Sequence, residues 1–479
     1  MLFQRFFTIL LLFISFYNCF SQLKEEHDYS FWKSLSKEFL ENKISYLKSL
    51  GVQITKNSKP KNVILFIGDG MGTTITTVSR IFKNQNISAE TGKPIFDQTP
   101  LSFEKFQTSG MVRTHSLDLH VGTSAAGALA MTTGQKSKSG LLNIKPISDL
   151  NTCKVKEEEK QYNSLVFEAL KNKIKVGLVT TTRVSHATPA ALYAFSKSRF
   201  HETDYLFETD EQRNNCDDIA KQIVDYPANQ FSVIFGGGQY FETKDELDKE
   251  TQPTLEEMTE SAIKLLSKDN DNGYFLMVEG GLIDVSAHEN KGYVAFSETR
   301  EFDKAIAKAH QLTKEITLKS NKYNVEDTLI IVTADHSHPL NFNGFPTRKK
   351  SVLGANMADF SKIVVPLDNK TMPNLMFTSG QGFNTMFSKD PNTGAYIRNN
   401  LTDEDFRDPN FLVPSCILSK YGVHGGEDVS SFSTGPLSYI FSGNYDNTQI
   451  AYNIKYALCI NDQNELNVCD EICSTNLEG

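Results

Sequence analysis

The chain has 479 residues, 39% hydrophobic and 22% charged, a balance that excludes wholesale disorder and leaves room for one large or several average folding units. Its formal charge of −9 argues against nucleic acid as a partner, because gripping a phosphate backbone needs a basic stripe. An anionic substrate would have to be met by metal ions or by a placed arginine.

The first predicted element is a leader. Arg5 is followed by a mostly apolar run from Phe6 to Phe20, then Ser21, Gln22 and charged residues. That pattern is too short and wrongly flanked for a membrane span and reads as a secretory signal over residues 1–21. Of the seven cysteines, Cys19 would leave with it, and an even number remains for disulfides in an oxidising compartment. Asn86, Asn369 and Asn400 each open an N-glycan acceptor triplet. The last residues are polar and acidic, without the hydrophobic segment of a lipid-anchor signal. A secreted protein with no membrane span is the expectation.

Four short runs dense in Val, Ile, Leu and Phe alternate with longer amphipathic stretches: Val63 to Ile67, Val176 to Val179, Tyr274 to Val278 and Leu329 to Val332. Runs of this kind are strands buried on both faces, so an α/β fold is expected, with a central, mostly parallel sheet covered by helices on both sides. Each run is followed by groups that bind metals. Asp69 follows the first, His186 and Thr188 the second, Glu279, Asp284 and His288 the third, and Asp335, His336 and His338 the fourth. Singly, each has an ordinary reading: Asp69 as a turn residue, Asp284 and His288 as a pair on one helix face, Asp335 and His336 as a cap. Four such sets at four strand ends point instead to one site at the carboxyl ends of the strands. Carboxylate with imidazole suits zinc, and carboxylate with hydroxyl suits magnesium.

Between the first two runs lies Val121-Gly122-Thr123-Ser124-Ala125-Ala126-Gly127-Ala128. A hydroxyl followed by small residues suits a helix N-terminus beneath a bound anion, and equally a tightly packed helix with no chemistry. Ser124 has no base adjacent in sequence, so metal coordination would have to activate it.

Together these segments resemble the eukaryotic-type alkaline phosphatases over most of the mature chain. Phe66 to Gly72, Thr180 to Pro189, Val278 to Gly281, Thr333 to His338 and His424-Gly425-Gly426-Glu427-Asp428 carry the likeness, and Phe31-Trp32 is similar to that family's opening helix. The resemblance implies hydrolysis of small phosphate monoesters at alkaline pH through a phosphoserine, at a site of two zinc ions and one magnesium. It implies one zinc on Asp284, His288 and His424, a second on Asp69, Ser124, Asp335 and His336, and magnesium on Asp69, Thr188 and Glu279. It places His186 beside the magnesium, His338 behind Asp284, and Arg199 as the fork that grips phosphate. It also implies disulfides Cys153–Cys216 and Cys459–Cys469. The domain expectation is an N-terminal helical arm over 22–55 and a catalytic domain over 56–479, carrying a crown-like insertion at 344–415. A homodimer would form through arm and insertion.

The chain departs from the family at three places. Thr123 stands where an aspartate usually holds the arginine, Leu129 where a threonine is usual, and the stretch after Gly236 is too short and acidic for the vertebrate calcium site. A phosphodiesterase or sulfatase-like hydrolase, or a secreted phosphate-binding protein, are the competing readings; Glu279 and Arg199 argue against the first of these and Thr123 favours the last.

Overall fold

A computed structural model describes residues 25–460 apart from 55–57, 95, 149, 151, 238–251, 320–326, 349, 357–365 and 403. Its centre is an eight-stranded sheet built from β1 (Asn62–Gly68), β2 (Thr108–Arg113), β3 (Lys175–Arg183), β4 (Val233–Gly237), β5 (Tyr274–Gly280), β6 (Thr328–Thr333), β7 (Val429–Thr434) and β8 (Gly443–Asp446). The strand order is β8-β2-β7-β6-β1-β5-β3-β4. Each of the four apolar runs falls within one strand, β1, β3, β5 or β6. These four are mutually parallel where they pair, and β1, β5 and β6 are buried along their whole length.

The sheet is mixed, not purely parallel. β7 runs antiparallel to both β6 and β2. Its sequence, Val-Ser-Ser-Phe-Ser-Thr, alternates buried and half-buried positions over most of its length and so lacks the dense apolar signature of its neighbours.

Helices cover the sheet. α1 (Tyr29–Ser49) buries Trp32, Ser36, Leu40, Ile44 and Leu47 along one stripe. It packs on the C-terminal helix α7 (Thr448–Leu458), where Gln449 Nε2 donates to the Ser36 carbonyl at 3.0 Å. α2 (Thr73–Thr91) and the long α6 (Gly292–Lys319) pack together, and α6 also covers α4 (Leu255–Ser267), whose start is fixed by a capping box of Thr254 and Glu257. α3 (Ser124–Thr133) and α5 (Leu282–His288) lead into the site.

The stretch 344–415 adds no strand to the central sheet among the described residues. It contributes short pairs, Ala355–Asn356 with Met372–Pro373 and Phe387–Lys389 with Tyr396–Arg398, and the central strand of a three-stranded sheet in which Leu375–Gly380 lies between Leu340–Phe342 and Ser415–Leu418. Cys153 and Cys216 form a disulfide. Cys459 is also disulfide-bonded; its expected partner Cys469, like residues 1–21, lies outside the described residues. Asn86 sits within α2, and Asn369 and Asn400 are exposed.

Candidate active site

Because β1 lies between β5 and β6 and runs parallel to both, three strands end at one level. Ile67 is in register with Glu279 on one side and Thr333 on the other. Asp69 follows β1 on a tight turn in which Gly70, at φ 68°, donates its N–H to Asp335 Oδ1 at 3.1 Å. A Cβ at residue 70 would stand 2.6 Å from the His338 ring, so both conformation and space demand glycine there.

α3 begins at Ser124 and is buried throughout. Gly127 lets this helix lie directly on the Asp335 backbone, since a Cβ there would meet the Asp335 carbonyl oxygen at 2.8 Å. The packing brings Ser124 Oγ to 3.3 Å from His336 Nε2 and 3.4 Å from Asp69 Oδ1. Three groups of metal-capable side chains result, each with ligand atoms within 4.8 Å of one another: Asp284, His288, His338 and His424; Asp69, Asp335 and His336; and Asp69, His186 and Glu279. Asp69 is shared by the last two, and Thr188 Oγ1 approaches its Oδ2 at 3.4 Å.

The imidazoles of His288 and His424 show what the first group is built for. His288 Nδ1 faces the Gly422 carbonyl at 2.6 Å and His424 Nδ1 faces the Gly122 carbonyl at 2.9 Å. A carbonyl only accepts, so both Nδ1 atoms carry the proton and both Nε2 atoms present lone pairs. Those two Nε2 atoms are 3.0 Å apart, with Asp284 Oδ2 3.4 Å from the first and Oδ1 3.7 Å from the second. Two lone pairs and a carboxylate converging on one point fit a divalent cation. The other groups fit as well. Glu279 Oε1 and Asp335 Oδ2 are buried without a hydrogen-bond partner, as metal-facing oxygens are before a cation is added.

Electrostatics agree with the geometry. Burial first, then the charges of Asp284, Asp335 and Glu279, hold the Asp69 carboxyl well above its ordinary range. Burial also pushes Glu279 up to about 7 and Asp335 up to about 6. Asp284 goes the other way: burial opposes its ionisation, but His288, His338 and His424 outweigh it and hold it well below the usual value. Burial favours the neutral form of three imidazoles, lowering His424 to about 4, His186 to about 3 and His336 well below its ordinary value. Neutral imidazoles are ligands, and packed carboxylates that resist ionisation lack a counter-charge.

A sequence model of the family described as alkaline phosphatase matches residues 60–250 and 242–460. The chain belongs to the alkaline phosphatase family. It is 29% identical to the tissue-nonspecific alkaline phosphatase isozyme of Felis catus, covering 91% of this chain and 90% of that one. It is 29% identical to the alkaline phosphatase of Gadus morhua, over 91% and 98%, and 28% identical to the membrane-bound alkaline phosphatase of Bombyx mori, over 91% and 86%. In fold it is similar to alkaline phosphatase from the Antarctic bacterium TAB5, at TM-score 0.53 and 22% identity, covering 84% of this chain and all (100%) of that one. It is also similar to the Thermus thermophilus enzyme, at TM-score 0.51 and 18% identity over 88% and 97%. The chain is an alkaline phosphatase, a metal-dependent phosphomonoesterase.

The structure brings together Asp69, Ser124, His186, Thr188, Glu279, Asp284, His288, Asp335, His336, His338 and His424. His338 Nε2 bonds Asp284 Oδ1 at 2.6 Å. Arg199 reaches the site through His186, its Nη2 donating to His186 Nε2 at 2.9 Å. The buried Thr123 hydroxyl has no hydrogen-bond partner, although its carbonyl accepts the Gly127 N–H at 2.8 Å. Sequence reasoning gave no role to Thr180 and Thr182, whose hydroxyls both donate to Glu279 Oε2. The triple threonine, within the C-terminal part of β3, is plain in the sequence, but which carboxylate it serves depends on β3 pairing with β5. Nothing in the sequence signalled the Gly122 and Gly422 carbonyls, because any residue offers a carbonyl.

Proposed function

We propose that this enzyme hydrolyses small phosphate monoesters at alkaline pH through a phosphoserine on Ser124. The converging Nε2 lone pairs of His288 and His424 beside Asp284 carry the reading. Asp284, His288 and His424 would hold one zinc, Asp69, Ser124, Asp335 and His336 a second, and Asp69, Thr188 and Glu279 a magnesium. Bound there, the cations supply Lewis-acid charge to the Ser124 alkoxide, the departing alkoxide and the water that follows.

The residues supply the rest. Ser124 Oγ, at the start of α3, gives its proton to solvent and forms a bond to phosphorus as the bond from phosphorus to the alcohol oxygen breaks, and the alcohol leaves with a proton from solvent. Water then cleaves the Ser124–phosphorus bond, releasing phosphate. Arg199 donates two hydrogen bonds to the phosphate oxygens in both steps. The free N–H groups at the start of α3 add favourable charge beneath the anion. His338 orients Asp284, and Thr180 and Thr182 orient Glu279.

Secretion is supported by the signal-like leader and the Cys153–Cys216 disulfide, and among the described residues no helix is long and apolar enough to cross a membrane. The leader would be removed, and Asn369 and Asn400 are accessible for glycans. Asn86, half-buried within α2, is the poorest acceptor of the three. A homodimer through arm and insertion is supported by exposed Leu35, Tyr46 and Leu50 on the arm and by exposed Tyr396 and Ile397 within the insertion.

Turnover of p-nitrophenyl phosphate before and after chelation, restored by zinc with magnesium, tests the reading together with mass spectrometry of the Ser124 peptide after acid quenching. Turnover indifferent to chelation, or phosphate trapped on another residue, overturns it.

A further inference from the structure

We infer that Glu202 is a positioning residue for phosphate capture, fastening the loop that carries Arg199 to the turn that carries His186. The inference rests on Arg199 being the phosphate-gripping residue.

The Thr123 hydroxyl has no hydrogen-bond partner; among the described residues the Arg199 guanidinium is held by its hydrogen bond to His186 and lies 5.9 Å over the exposed Phe200 ring. A guanidinium only donates, so His186 Nε2 accepts and the imidazole proton lies on Nδ1, toward Glu279 Oε1 at 3.9 Å. A neutral imidazole is a weaker acceptor for arginine than a carboxylate. The contact therefore holds Arg199 only as firmly as loop and turn are held to each other.

Glu202 makes that connection. It follows Arg199 by three residues, and its carboxylate accepts Arg183 Nε and Nη2, both at 2.7 Å, and Ser185 Oγ at 2.9 Å. Arg183 closes β3, and its carbonyl accepts the His186 N–H at 2.9 Å. One carboxylate thus ties the strand end, the His186 turn and the Arg199 loop. The pair is sheltered, with Glu202 and Arg183 side chains only 14% and 22% exposed, so the two-pronged contact is far less screened than a surface pair. Burial opposes ionisation of Glu202, yet the Arg183 and Ser185 hydrogen bonds outweigh it and keep the carboxyl below its ordinary range. The loop's backbone is anchored separately, by Arg199 N–H to the Gly140 carbonyl at 2.7 Å and Ala220 N–H to the Glu202 carbonyl at 3.0 Å. Loss of the carboxylate should loosen the arginine without releasing the loop.

The test compares the metal-loaded parent with Glu202→Gln and with the double variant Arg183→Gln/Glu202→Gln, which leaves no unpaired guanidinium if the single variant folds poorly. Calorimetry with inorganic phosphate, metal content and the split between KM and kcat are measured on each. Trading a charged pair for a neutral one is expected to weaken phosphate binding about tenfold and to raise KM more than kcat changes, at unchanged metal content. Phosphate affinity within about twofold of the parent, or affinity lost only in step with metal, overturns the role. An inactive parent that still binds phosphate would sink the catalytic reading while leaving the Glu202 comparison readable. A parent that binds none would sink both.

Discussion

The hydroxyl of Ser124 stands 3.3 Å from Nε2 of His336, while Asp69 approaches it at 3.4 Å. Burial holds His336 in its neutral form, and Asp69 shares its site with three other carboxylates. On the proposed reading the serine would be activated by coordination, not by a charged base. Ser124→Ala is expected to lower kcat by about a thousandfold or more and to leave the melting temperature nearly unchanged, because the lost contacts are long and few. His424→Ala should lose kcat likewise but should also lower the melting temperature, because its ring bonds the Gly122 carbonyl at 2.9 Å and would hold the first zinc. Near-native kcat in Ser124→Ala would move the nucleophile to Thr123.

Chelation should destabilise as well as inactivate, with a defined pH dependence. In the metal-free site Glu279 titrates at about 7 and Asp69 well above its ordinary value, so the folded state binds protons that the unfolded state has already lost. Their contribution is present at low pH and lost as pH rises through the folded values. Below about pH 6.5 the buried histidines, depressed to about 3 in His186 and about 4 in His424, act in the opposite sense. The clean window is therefore pH 6.5 to 8, by those histidine and carboxylate ranges. The melting temperature of the chelated protein should fall across it, and metal should restore it most at the alkaline end. A chelated protein whose melting temperature rises across that window contradicts the assignment.

Thr123→Asp should return a carboxylate to the position before the nucleophile. Arg199 would then gain a charged acceptor in addition to His186, and the inhibition constant for phosphate is expected to tighten about tenfold. Where product release limits turnover, kcat should fall along with KM. Equal or weaker inhibition would mean that His186 already places the arginine fully.

The Cys153–Cys216 disulfide spans 63 residues of sequence, and Arg199 and Glu202 lie inside that loop. Chain-entropy arguments give closure of a loop this long about 4 kcal/mol. Cys153→Ser/Cys216→Ser should lose about 2–4 kcal/mol of unfolding free energy in denaturant titrations. It should also weaken phosphate inhibition more than zinc binding, since the loop carries the arginine and none of the proposed zinc ligands, although Thr188 and His186 of the proposed magnesium site lie within it. A variant with unchanged stability would show that the loop is held without the bond.

The sequence by itself determined the core of the sheet and where its ligands would gather. Strands buried on both faces must be apolar throughout, so β1, β3, β5 and β6 announce themselves, and the carboxylates and imidazoles after them stand out against that background. Strands without that signature did not: β2, β7 and β8 carry Ser, Thr, Gly and Asn, and only pairing with neighbours makes them strands. Tertiary structure alone decided which groups face one another. His288 and His424 are 136 residues apart, and their Nε2 atoms converge because two glycine carbonyls turn both rings. Likewise, Thr123 could be seen to lack a charge, but not that Arg199 would settle on His186 under a clamp made by Glu202. Apolar patterning is local and survives in the sequence; the direction of a lone pair or a donor is set by backbone and packing from distant segments, and exists only once the chain has folded.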